Sequence, residues 1–140
     1  MYTKTRTNVY RTTYHLVWVT NYRKAVFTTP ERREAMKGFL NVTAQNNAIT
    51  ILESEVVGDH VHLVVSFPPN KSISSVMKAL KGASARDWFK RFPDTKKDLW
   101  KGSLWSHSYF VSTVGDVFEE VVMGYVKDQL KEFNNGRSKT

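Results

Sequence analysis

Two histidines one residue apart, His60 and His62, and a tyrosine four residues ahead of a glutamine, Tyr125 and Gln129, are the residues best suited to chemistry in this chain. Side chains alternate along a strand, so His60 and His62 in Asp59-His60-Val61-His62-Leu63-Val64-Val65 share one face of a sheet. Val61, Leu63 and Val65 take the other face, toward a core. Two imidazoles side by side on a rigid strand can grip one cation with a third ligand from elsewhere. On a helix, Tyr125 and Gln129 stand on one face about a turn apart. The phenol is a possible nucleophile and the amide oxygen a possible hard metal ligand. Each motif has a plainer reading. His-x-His recurs by chance at sheet surfaces, and Tyr125 continues the apolar stripe of Val121 and Val122, where tyrosine is often core.

The elements that must position these residues follow from periodicity. The run Tyr14-His15-Leu16-Val17-Trp18-Val19-Thr20 has the β-branched and aromatic content of a buried strand. Thr29 is a plausible N-cap with Pro30 at the first helical position. Met36, Phe39, Leu40 and Thr43 then give a helix one inward face, ended by Asn46-Asn47. Strands are expected over 49–57 and 60–67, joined at Gly58-Asp59 by a hairpin turn or a bulge. A second helix starts near Ser72, with Ile73, Val76, Met77 and Leu80 inward. Residues 92–102 read as irregular and 109–113 as a short strand. Asp116 and Glu119 resemble a capping box opening a last helix that carries the tyrosine. The order β-α-β-β-α-β plus a terminal helix predicts an α+β ferredoxin-like sandwich with an antiparallel sheet. It reads as one domain over 1–140, with an ordered core over about 8–133 and loose termini.

Composition narrows the partner. Lys+Arg number 21 against 13 Asp+Glu, a net charge of +8. That excess favours a polyanion, because neutralising phosphates releases condensed counterions. The basic residues are spread along the chain instead of lining one amphipathic helix, which argues against a membrane surface. Cysteine is absent, excluding disulfides and thiolate zinc sites. No apolar run approaches the roughly 20 residues of a spanning helix, nor does the first stretch look like a secretory signal. The expected location is the cytoplasm.

Taken together, the chain resembles the TnpA-type single-tyrosine HUH transposases of bacterial and archaeal insertion sequences. The similar stretches are Tyr14-His15-Leu16-Val17-Trp18-Val19-Thr20-Asn21-Tyr22-Arg23, Gly58-Asp59-His60-Val61-His62-Leu63-Val64-Val65-Ser66, Lys78-Ala79-Leu80-Lys81-Gly82-Ala83-Ser84-Ala85-Arg86, Leu104-Trp105-Ser106-His107-Ser108-Tyr109-Phe110-Val111 and Tyr125-Val126-Lys127-Asp128-Gln129. They occur in the family's order and cover most of the chain. The resemblance implies that His60, His62 and Gln129 are the metal ligands and Tyr125 the nucleophile. It further implies Mg²⁺ or Mn²⁺, single-stranded DNA with hairpins near element ends, and a homodimer in which one subunit's tyrosine helix serves the other's histidines. The sequence departs from the usual pattern at Val57-Gly58, where Met-Pro is common, and at His107, where Pro is common; neither touches an implied ligand.

Lys78 and Lys81 share a face of the second helix with Arg86 nearby, and are candidate phosphate contacts. Arg11, Arg23 and Lys24 flank the first strand and are further candidates. Trp105 and Tyr109 could stack on unpaired bases, or pack in the core. Two rival readings stand beside the transposase. One is a non-catalytic single-stranded nucleic-acid-binding module of RNA-recognition fold, which leaves the histidine pair unexplained. The other is a replication initiator or relaxase with the same chemistry, for which 140 residues leave little room.

Overall fold

The structure is a computed structural model that describes residues 3–4, 9–10, 12–99 and 102–113. The expected last helix, with Tyr125 and Gln129, and also Arg11, lie outside the described residues. A two-residue ladder, β1 (Thr3–Lys4) with β2 (Val9–Tyr10), precedes the main sheet. The main elements are β3 (Tyr14–Val19), α1 (Pro30–Asn46), β4 (Thr50–Val57), β5 (His60–Ser66), α2 (Ile73–Arg91) and β6 (Phe110–Thr113). A short 3₁₀ segment, Pro93–Asp98, occupies much of the stretch expected to be irregular.

The four main strands lie in the order β4-β5-β3-β6, and every neighbouring pair is antiparallel. Placing β5 between β3 and β4 is the split β-α-β arrangement of the expected ferredoxin-like sandwich. α1 and α2 pack on one face. Their buried residues, Met36, Leu40 and Ala44 from α1 with Val76, Met77, Leu80 and Trp88 from α2, join Leu16, Trp18, Val61, Leu63 and Val65 in one core. Each of the Leu, Met and Val side chains among them contributes about 1.5–3 kcal/mol by leaving water.

Local chemistry fixes the element ends. Thr29 caps α1 by accepting from the Arg32 N–H, and Ser72 caps α2 by accepting from the Ser75 N–H. The irregular stretch is satisfied from inside, since the Trp88 indole donates to Thr95 Oγ1 at 2.9 Å and Thr95 Oγ1 donates to the Phe92 carbonyl at 2.7 Å. Trp105 is buried, donates to the Lys81 carbonyl and Ser84 Oγ, and meets Trp18 edge-on, so it packs in the core. Among the described residues, no helix is long and apolar enough to cross a membrane.

Candidate functional site

The face of the sheet turned away from α1 and α2 carries the histidine pair. Register sets His60 opposite Val19, His62 opposite Val17 and Val64 opposite His15. Residues directly opposite in an antiparallel pair share a face, so three histidines stand on this one. β4 adds Glu55 opposite His62 and Glu53 opposite Val64, past a bulge between Ile51 and Glu53. Val17, Val19 and Val64 are buried yet lie outside the core cluster, so β3 is buried on both faces and gives the histidines a rigid, apolar floor.

His60 is tied down through one nitrogen. Its Nδ1 lies 3.0 Å from Asp59 Oδ1. Burial pushes the Asp59 carboxyl up, but the hydrogen bond to His60 and the Arg23 guanidinium outweigh it and hold the group below its ordinary 3.8. Asp59 is thus an anion near neutrality and can only accept, so the proton of that bond sits on His60 Nδ1. Nε2 is then the ring nitrogen that keeps its lone pair. The other oxygen, Asp59 Oδ2, accepts from Arg23 Nε at 2.7 Å and lies 2.6 Å from Arg23 Nη2.

The turn that delivers Arg23 is strained. Tyr22 and Arg23 both have φ of +53°, a region costing non-glycine residues of order 1–3 kcal/mol each. Backbone bonds hold it in place: Thr20 N–H donates to the Asp59 carbonyl at 2.8 Å, Arg23 N–H to Thr20 at 2.9 Å and Phe27 N–H to Gly58 at 2.8 Å. Gly58, at φ +50°, makes the tight β4–β5 connection that the Gly-Asp pair predicted.

His62 is held differently. Its Nε2 lies 2.9 Å from His15 Nδ1, and the two rings stack with centroids 5.1 Å apart. Burial first, then the neighbouring His15, push the His62 pKa down, against an upward pull from Glu55. The neutral imidazole that a metal requires is therefore the favoured form at neutral pH. Among the described residues, no group of three or more His, Asp or Glu side chains is arranged to hold a metal ion. His60 and His62 offer two imidazole donors on one face, a partial set of the kind a divalent ion takes, and Glu53 and Glu55 line a recess next to His62. The third expected ligand, Gln129, lies outside the described residues.

Of the expected phosphate contacts, Lys78, Arg86 and Lys24 are exposed. Lys81 instead turns inward, donating to the Ser106 carbonyl at 2.7 Å and the Ser108 carbonyl at 3.4 Å, and burial pushes its pKa down. Arg23 also turns inward, to Asp59. Both are long enough to reach a half-buried acceptor distant in sequence, which one-dimensional spacing does not reveal. Two residues of the site carry no role in the sequence reading. Asp59 was legible as the neighbour of His60; His15 needed the register that sets it beside His62.

Comparison with known proteins bears on the family and the fold. The family model described as "Transposase IS200 like" matches residues 8–129. The chain is 39% identical over 126 residues to the ISDra2 transposase TnpA of Deinococcus radiodurans, covering 90% of this chain and 89% of that one. It is 34% identical over 123 residues to the transposase for insertion sequence element IS200 of Salmonella typhimurium, covering 88% and 80%. A crystal structure of a transposase-like chain from Deinococcus radiodurans R1 superposes with a TM-score of 0.83 at 38% identity, covering 91% of this chain and 97% of that one. A REP-associated tyrosine transposase shares the fold at a TM-score of 0.54 and 14% identity, covering 84% and 64%. The chain belongs to the IS200-like transposase family and is an enzyme of that kind.

Proposed function

We propose that the enzyme cuts and rejoins single-stranded DNA at insertion-sequence ends through a covalent 5′-phosphotyrosine on Tyr125, at a site where His60, His62 and Gln129 hold Mg²⁺ or Mn²⁺. The observation that carries this reading is the pair His60 and His62 on one sheet face, with the Asp59 carboxylate fixing the proton of His60 on Nδ1. A divalent ion bound there would neutralise and align the scissile phosphate. The imidazoles supply the ligating nitrogens, and the buried Val17 and Val19 beside them keep the strand rigid. Tyr125 supplies the nucleophile. A free tyrosine phenol has a pKa of ~10, so attack requires loss of the phenolic proton as the bond to phosphorus forms. The P–O bond to the upstream nucleotide breaks, and that oxygen leaves as a 3′-OH carrying a proton. The phosphotyrosine ester keeps the energy of the phosphodiester, so a 3′-OH from another strand can reverse the step and join new DNA.

Binding involves a second region. Lys78 and Arg86 are exposed on α2, in the helix layer across the sheet from the histidines. They would hold backbone phosphates distant from the reacting one. Arg86, Phe89 and His107 line an open cavity of about 410 Å³ on that side. Hairpin recognition at the element ends is part of this proposal; the distantly similar REP-associated transposase was solved bound to a REP hairpin. So is a homodimer in which Tyr125 of one subunit acts at the histidines of its partner.

The test is direct. Incubation with a hairpin-bearing single-stranded oligonucleotide and Mg²⁺ gives a covalent protein–DNA band on a denaturing gel. The band disappears with chelator and in Tyr125→Phe. Gel shifts without any trapped species in the wild type would refute cleavage.

A further inference from the structure

We propose that Asp59 and Arg23 are positioning residues that set the ring proton of His60: Arg23 takes one carboxylate oxygen, which assigns the other to His60 Nδ1 and leaves Nε2 as the ligating nitrogen. This rests on the reading of His60 as a metal ligand. Three distances carry it. Arg23 Nε and Nη2 reach the same oxygen, Oδ2, at 2.7 and 2.6 Å, while Oδ1 faces His60 Nδ1 at 3.0 Å. The guanidinium has no acceptor, so whatever atom of residue 59 faces it must accept. The division of labour between the two oxygens is therefore fixed by Arg23 and not by the carboxylate alone.

The backbone is built around this contact. Tyr22 and Arg23 take left-handed conformations, and the loop that carries them is bonded at Thr20 and Phe27 to the turn that carries Gly58 and Asp59. An ordinary surface ion pair between two flexible side chains would need none of this. The side chains of Arg23 and Asp59 are 16% and 19% exposed, so water competes little for their hydrogen bonds. A ligating histidine whose other nitrogen is held by a carboxylate has its ring orientation and proton position fixed, and loss of such a partner costs about 10–100-fold in metal affinity.

The substitution Asp59→Asn separates positioning from mere structure, because the amide has one accepting and one donating end. Arg23 can face only the oxygen, so the NH₂ is presented to His60 Nδ1, which must then accept; the ring proton moves to Nε2. In the metal-free protein, ¹⁵N shifts of the His60 ring should report the change from the Nδ1–H to the Nε2–H tautomer. Mn²⁺ affinity measured by electron paramagnetic resonance, without DNA, should fall about 10–100-fold. Adding Arg23→Met frees the amide to rotate and return its oxygen to His60, so the double variant should regain the Nδ1–H tautomer and recover affinity toward wild type. A purely structural ion pair predicts the opposite, with the double variant no better than Asp59→Asn alone. That result, or an unchanged tautomer in Asp59→Asn, would overturn the proposal. Absence of Mn²⁺ binding in the wild type would sink the ligand reading instead, while the tautomer arm would still judge the pair.

Discussion

His15 Nδ1 lies 2.9 Å from His62 Nε2, with the two rings stacked, so one of the expected metal ligands is already partnered by a third histidine on the same face. His15 is the second contributor, after burial, to the lowered pKa of His62. Replacing it in His15→Phe keeps a stacking ring but removes the titratable nitrogens. The His62 titration followed by NMR should then move up toward 6.5 without reaching it, since burial remains. A downward move would show that the pair is coupled in another way.

Acid should destabilise the metal-free protein in two separate windows. His62 in the folded chain binds its proton at lower pH than the ordinary 6.5 of the unfolded chain. The unfolded state thus binds more protons in between, and stability falls as pH drops through 6.5 toward the folded value. Asp59 is held below its ordinary 3.8, so its contribution is fully present above 3.8 and is lost as pH falls through the lower folded value. Urea unfolding across pH should show the upper loss diminished in His62→Gln and the lower one diminished in Asp59→Asn. An upper loss of equal size in His62→Gln would assign it to another group.

The lysines of α2 should behave in opposite ways. Lys81→Met leaves the Ser106 and Ser108 carbonyls without their cationic donor, and should cost about 1–3 kcal/mol of stability. Lys78→Ala and Arg86→Ala are surface changes and should stay within about 0.5 kcal/mol. They should instead weaken single-stranded DNA binding, each lowering the slope of log K against log salt by about 0.7. Unchanged slopes in both would remove them from the DNA contacts.

Much of the fold was legible because its signals are local. Thr29-Pro30 and Ser72 mark helix starts that the structure keeps, and the alternation through His60, Val61, His62 and Leu63 gave the right face to each residue. The continuous apolar run of β3 matched a central strand buried on both faces. What stayed hidden depended on contacts distant in sequence. His15 reaches His62 across 47 positions, Arg23 reaches Asp59 across 36 and Lys81 reaches Ser106 across 25. Strand register and a left-handed turn bring these together, and neither is written in periodicity. The rival binding module without catalysis gives way to membership of a transposase family.

The proposed sharing of active sites between subunits makes a genetic-style prediction. Tyr125→Phe and His60→Ala homodimers should both be inactive in strand cleavage. Mixed subunits should regain activity, because one composite site then holds an intact tyrosine and an intact histidine pair. Dead heterodimers alongside active wild-type dimers would place both groups of a site on the same chain.

The measurement closest to the central claim is the identity of the DNA-linked residue. After cleavage of a single-stranded hairpin substrate in Mg²⁺, nuclease trimming and proteolysis should leave a nucleotide mass on the peptide containing Tyr125, attached through a 5′-phosphate. The same peptide from His60→Ala should carry none. A nucleotide on any other residue, or an adduct that persists undiminished when both His60 and His62 are replaced, would contradict the convergence of phenol and imidazoles on one phosphate.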